Sequence, residues 1–178
     1  CNYIAKERLK HIVSKDAFDI DGLGKKVIDN FWKLKIIKTP SDIFNLNYKK
    51  IEKLDGWGDL SIANLKKAIS NSRKVVLDKF IFSIGIRHIG QENAKTLANY
   101  FKKVEKFSEL FIQKKRKEIL NSLDELDGIG ETQIKSIEDF FPNSKNITII
   151  QSFMSVLDIK NYEKKIKSGK LSNKNIMF

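Results

Sequence analysis

Four short segments of this chain repeat one pattern: Ile20-Asp21-Gly22-Leu23-Gly24, Leu54-Asp55-Gly56-Trp57-Gly58, Ile86-Arg87-His88-Ile89-Gly90 and Leu126-Asp127-Gly128-Ile129-Gly130. Each runs apolar, variable, turn-forming, apolar, glycine. Successive final glycines lie 34, 32 and 40 residues apart. A repeat of that period is a supersecondary unit that buries its apolar face only against its neighbours. Helical spacing begins after every copy, in the stripes Val27, Ile28, Phe31, Trp32; Ile62, Leu65, Ile69; Ala94, Leu97, Ala98, Phe101; and Ile134, Ile137, Phe141. Prolines occur only at Pro40 and Pro142, so the intervening helices are unbroken.

The chemistry of the unit follows from its letters. A first helix ends at the leading apolar residue, and the glycine two positions on accepts a backbone geometry closed to most side chains. The second apolar residue pins the other arm. The final glycine opens the next helix without a Cβ, so that N–H groups at the hairpin and helix start can approach a phosphate oxygen. The predicted fold is therefore all-α, a tandem of four helix-hairpin-helix units from about Glu7 to Leu157. Between them, Thr39-Pro40-Ser41-Asp42 offers a helix cap, and Val75 to Ile84 reads as an apolar helix through the centre. Ile147 to Leu157 fits a closing helix, although its β-branched residues also fit a strand. Asp21, Asp55 and Asp127 recur at one turn position, where local hydrogen bonding accounts for them without a metal.

The hairpins define a candidate site. Gly22, Gly24, Gly56, Gly58, Gly90, Gly128 and Gly130 are the backbone donors, with Lys25 and Lys26 at the first helix start. Gln91, Thr132 and Gln133 are neutral donors at comparable positions. The third copy departs, with His88 where the others have glycine. Arg87 beside it either reaches a phosphate or a minor groove or merely faces solvent, and His88 either shares that contact or only completes a turn. The net charge of +12, from 34 Lys+Arg against 22 Asp+Glu, favours a polyanionic partner. Arginine occurs only at Arg8, Arg73, Arg87 and Arg116, which suits diffuse phosphate attraction better than bidentate reading of bases. The run Lys114-Lys115-Arg116-Lys117 is either a DNA contact or the solvated side of a helix. A single cysteine excludes an internal disulfide, and no apolar stretch is long enough to span a bilayer. The expectation is a cytoplasmic monomer with no membrane partner.

The four segments in this order, with Gly85-Ile86-Arg87-His88-Ile89-Gly90 as the most specific piece, closely resemble the C-terminal part of bacterial NAD-dependent DNA ligases. That run separates the family from other tandem helix-hairpin-helix proteins. The resemblance covers essentially the whole chain. It implies that the chain grips nicked or duplex DNA through backbone phosphates in the minor groove, as part of an enzyme that seals nicks in replication and repair. In such an enzyme a lysine of an N-terminal domain takes AMP from NAD and passes it to the 5′-phosphate. The 3′-hydroxyl then attacks, with magnesium assisting. NAD, magnesium and zinc are implied for the longer parent, with contacts to its other domains and nucleoid-associated work in the bacterial cytoplasm. No cofactor is expected within this chain, nor any Lys-x-Asp-Gly adenylation motif, and alone it is expected to be inactive. The alternatives are the DNA-binding region of a structure-specific nuclease and a domain-docking module.

The resemblance also divides the chain. Residues 1–15 are expected to be the end of a zinc finger and a linker, with Cys1 as its last cysteine and the approach running through Arg8, His11, Ser14 and Asp19. Residues 16–157 are the helix-hairpin-helix domain, 158–175 a linker, and 176–178 the start of a BRCT domain. The missing initial Met and the apolar Ile176-Met177-Phe178 suggest that both ends are cut from something longer.

Overall fold

At Gly24, Gly58, Gly90 and Gly130 the backbone is extended, and each stands immediately before a helix. These four junctions organise the architecture. The computed structural model describes residues 1–166. In chain order the helices are α1 (Asn2–Val13), α2 (Lys25–Lys33), α3 (Pro40–Ile43), α4 (Tyr48–Ile51) and α5 (Asp59–Ser72). A short strand β1 (Lys74–Val76) precedes α6 (Leu77–Ser83), α7 (Gln91–Phe101) and α8 (Val104–Ser108). A 3-10 turn over Glu109–Phe111 leads to α9 (Gln113–Leu123), α10 (Glu131–Phe140), α11 (Ser144–Ser155) and strand β2 (Asp158–Lys160). The fold is a tandem helix-hairpin-helix, predominantly all-α. The expected stripes face inward: Ile28, Phe31, Ile62, Leu65, Ile69, Leu97, Phe101 and Ile137 are buried.

Local signals place the lesser helices. Thr39 caps α3 with Pro40 in its first turn, and Asp42 Oδ2 accepts from the N–H groups of Lys38 and Thr39 at 2.8 Å each. Asn143 caps α11, its side chain accepting from the Lys145 N–H at 3.0 Å. That cap, with Ile150 and Phe153 buried, makes a helix of the stretch that also fitted a strand.

Two elements differ from the sequence expectation. Val75 and Val76 open in a strand, and α6 starts at Leu77. Asp158–Lys160, within the stretch read as a linker, pairs in parallel with β1 in the register Lys74↔Asp158, Val75↔Ile159 and Val76↔Lys160. The pairing joins residues more than eighty positions apart, so no local pattern announces it, and β-branched side chains favour it. Arg73 seals the same junction. Its Nη1 donates to the Val156 carbonyl at 2.9 Å, its Nη2 donates to the Phe44 carbonyl, and its guanidinium lies over the Phe44 ring.

An aromatic chain runs through the core. Phe80 of α6 meets Phe107 edge-on at 6.2 Å on one side and Phe153 at 5.7 Å on the other. Phe107 continues to Phe101 and Phe141, and Phe153 to Phe18 and Phe44. Helix α6 thus ties elements from both halves of the chain together. The expected basic run at 114–117 is broken up: Arg116 is buried, its Nη1 donating to the Leu110 carbonyl at 2.9 Å, and Lys115 pairs with Glu109 at 3.3 Å. Phe107 is fully buried at the hub of this network, so Phe107→Ala should cost about 3–5 kcal/mol in urea unfolding, whereas Lys115→Ala on the surface should cost under about 1 kcal/mol.

Candidate nucleic-acid interface

The four repeated segments fold into one turn. In each, the N–H of the second apolar residue donates to the carbonyl of the first: Leu23 to Ile20 at 3.2 Å, Trp57 to Leu54 at 3.3 Å, Ile89 to Ile86 at 3.1 Å and Ile129 to Leu126 at 3.2 Å. The third residue of each has positive φ, at 89° for Gly22, 84° for Gly56, 62° for His88 and 87° for Gly128. Asp21, Asp55, Arg87 and Asp127 before them do not, so all four are type II turns. Glycine enters this conformation without penalty, while a residue with a Cβ pays on the order of 1 kcal/mol or more, histidine being among the better tolerated.

The turns are arranged as two pairs. Hairpins 3 and 4 are joined by reciprocal struts. Asn93 Oδ1 accepts from the Gly90 N–H at 3.1 Å, and Asn93 Nδ2 donates across to the Gly128 carbonyl at 2.8 Å. Gln133 Oε1 accepts from the Gly130 N–H at 2.9 Å, and its Nε2 reaches back to the His88 carbonyl at 3.5 Å. Asn93 and Gln133 hold the same position in α7 and α10, so the pair has approximate two-fold symmetry. His88 Nδ1 adds a contact of 3.0 Å to Ser136 Oγ of α10.

Hairpins 1 and 2 pair by packing. Gly22 lies against Leu65 of α5, a Cβ there falling 3.5 Å from the leucine Cδ1, and Phe31 meets Trp57 at 5.5 Å. Here the position of Asn93 is taken by Val27 in α2 and Ser61 in α5. Valine has no polar atom, and the Ser61 hydroxyl is spent on Gly58, accepting from its N–H at 3.0 Å. A groove of about 310 Å³ remains between the tips, lined by Asp21, Gly22, Gly56, Trp57, Ser61 and Leu65 among others. Behind hairpin 1, Lys6 and Lys10 both stand 3.0 Å from Asp29, tying α1 to α2.

The candidate residues are therefore not equivalent. Gly22, Gly24, Gly56, Gly58, Gly90, Gly128 and Gly130 are all exposed, as are Lys25, Lys26, Arg87, His88, Gln91 and Thr132. Gln133 is half-buried in its strut. The N–H groups of Gly58, Gly90 and Gly130 already serve side chains of their own helices. Of the four final glycines, Gly24 alone has an N–H without a partner among the described residues, and the N–H groups of the turn glycines Gly22, Gly56 and Gly128 have none there either. Around the Gly24 N–H stand Lys25 and Lys26, whereas the first turns of α5, α7 and α10 carry Asp59, Glu92 and Glu131. The carboxylates of Asp21, Asp55 and Asp127 make no hydrogen bond among the described residues, against the expected local bonding. Sequence reasoning missed Asn93 and Ser136. Asn93 was accessible, because it matches Gln133 when the repeats are aligned; Ser136 was not, because only the packing of α10 brings it to His88.

Residues 79–150, spanning hairpins 3 and 4, match the helix-hairpin-helix motif family. The chain is 49% identical over 177 residues to a DNA ligase of Pelagibacter ubique, an alignment covering 99% of this chain and 26% of that protein. It is 40% identical over 181 residues to a DNA ligase of Rickettsia prowazekii and 39% identical over 180 residues to one of Rickettsia bellii, each with 97% of this chain covered. The chain spans 26% of the length of these relatives.

Two expectations need correction. No zinc-finger cluster surrounds Cys1 among the described residues: it is the single cysteine of the sequence, it is exposed directly ahead of α1, and there is no group of three or more His, Cys, Asp or Glu there able to bind a metal. His11 is engaged within the fold, its Nε2 donating to the Phe82 carbonyl at 2.8 Å and its ring packing edge-on against Phe82. The second concerns the Lys-x-Asp-Gly string, which does occur, as Lys53-Leu54-Asp55-Gly56. There it forms the second hairpin turn, with Lys53, Asp55 and Gly56 exposed. The expected BRCT start, Ile176-Met177-Phe178, lies outside the described residues. No helix among the described residues is long and apolar enough to cross a membrane.

If the struts act as one clamp, Asn93→Ala and Gln133→Ala should each destabilise the fold by about 1 kcal/mol, and the double variant should depart from additivity by about 0.5 kcal/mol or more in urea unfolding. Strict additivity would mean that the two struts work separately.

Proposed function

We propose that residues 16–157 grip nicked or duplex DNA through backbone phosphates in the minor groove, as the DNA-holding part of an NAD-dependent DNA ligase that seals nicks in replication and repair. The observation that carries this reading is the side-by-side pairing of exposed type II turns in hairpins 3 and 4, held in register by Asn93 and Gln133. Two turns related by a near two-fold axis suit the two strands that border a minor groove. Such contacts position a protein on DNA without reading its sequence. The net charge of +12 adds long-range attraction, and the relatives that align along nearly the whole chain are DNA ligases.

Within this reading the contacting residues are Gly22, Gly24, Lys25, Lys26, Gly56, Gly58, Arg87, His88, Gly90, Gln91, Gly128, Gly130 and Thr132, with Gln133 setting the spacing between hairpins. Hairpin 1 supplies a final-glycine donor, Gly24, that no side chain of its own helix consumes, and two cations at a helix start that would otherwise disfavour them. Adenylate transfer from NAD, with its magnesium, takes place in other parts of the longer protein, in the bacterial cytoplasm, and the chain acts as a monomer.

Fluorescence anisotropy on a labelled nicked duplex tests the reading. With about six phosphate contacts, affinity should fall by about a thousandfold between about 50 and 200 mM salt, and shuffling the base sequence should change it little. Binding that ignores salt, or none at all, would overturn the proposal. Gly24→Val provides a sharper probe, because its φ of −73° is open to any residue and a Cβ there meets no atom within 4 Å. It should weaken binding about tenfold by crowding the donors at the helix start, with the thermal midpoint lowered by only a few degrees through the poorer helix cap, while Lys115→Ala stays within about twofold.

A further inference from the structure

His88 occupies the position that the other three hairpins give to glycine, at a φ of 62°. The turn needs no side chain there, since hairpins 1, 2 and 4 close the same hydrogen bond without one. Replacing it by glycine would relieve backbone strain, so the imidazole is not there to close the turn. The ring is nevertheless held in place. Ser136 Oγ, on the helix of the opposite hairpin, lies 3.0 Å from Nδ1. A serine hydroxyl donates to a neutral Nδ1 and accepts from a protonated one, so the ring keeps its orientation in either charge state. Nε2 has no partner among the described residues, on an exposed side chain next to exposed Arg87.

We propose that His88 is a proton-linked phosphate contact: held by Ser136, it presents Nε2–H to the DNA backbone, and the grip tightens when the ring gains its second proton. This rests on the DNA-binding reading above. The elements around it carry charges of both signs, among them exposed Glu138 of α10. Arg87 is on its own turn; Lys135 and Asp139 of α10 pair at 3.3 Å; Glu92 and Lys95 of α7 pair at 2.9 Å; and hairpin 4 adds exposed Asp127 and Glu131. The chain has one other histidine, His11, which is committed to the Phe82 carbonyl. Between pH 5.5 and 7.5 imidazole is the side chain whose charge ordinarily changes.

The test is anisotropy titration of the 178-residue chain on labelled nicked duplex at fixed ionic strength across that pH range, with thermal midpoints measured alongside. The wild type should bind about five- to tenfold more tightly at the acid end, the gain of one charge-assisted hydrogen bond. His88→Gly should flatten that profile and weaken binding at pH 6 by a similar factor, while its thermal midpoint stays level or rises. His88→Asn, which tolerates positive φ and can still bond Ser136, should be equally flat. If the wild type binds but either variant keeps its affinity and pH profile, the proposal fails and the DNA-binding reading stands. If the wild type does not bind DNA, both fail.

Discussion

The positive-φ turn is the constraint on which the molecule depends. A chain leaving one helix must reverse within four residues and present an extended residue to start the next, and a type II turn does this only if its third residue enters the left-handed region. Gly22, Gly56 and Gly128 enter it freely, and the flanking apolar residues are buried in the core or packed against it. Once the turns are set, the helices that follow have little freedom. Their apolar stripes must converge, and they do so in one core, with the α7 and α10 stripes joining the aromatic chain around Phe80 through Phe101 and Phe141.

The same turn exposes its central N–H groups, which links fold to function. What distinguishes the hairpins is how the neighbouring donors are used. In hairpins 3 and 4 the amides of Asn93 and Gln133 consume the final-glycine N–H and bridge to the opposite turn, giving a pair braced from both sides. Hairpins 1 and 2 carry valine and serine at the corresponding positions and keep a groove between their tips. One pair is braced by polar struts. The other rests on packing of Leu65, Phe31 and Trp57, and leaves the Gly24 N–H beside two lysines.

Much of this was legible in the letters. The repeat located every hairpin and every helix that follows one, because glycine at a fixed offset and apolar residues at helical spacing are local signals with direct conformational meaning. Arg116 illustrates where local reading fails. It sits in a run of four basic residues, yet its guanidinium turns inward to the Leu110 carbonyl, because burial depends on which face of α9 meets the 3-10 turn. Lys53-Leu54-Asp55-Gly56 is the reverse case, a familiar string whose meaning changes with its place in a hairpin.

The sequence by itself determined the all-α class, the four turns, the cationic balance and the helices that carry the core, since each depends on residues within a few positions of one another. The tertiary structure decided the pairing of the hairpins, the Asn93 and Gln133 struts, the union of β1 with β2, and the contact between His88 and Ser136. Each of these joins residues between about thirty-five and eighty-four positions apart. Such pairings are set by how whole helices pack, and no window of sequence contains both partners.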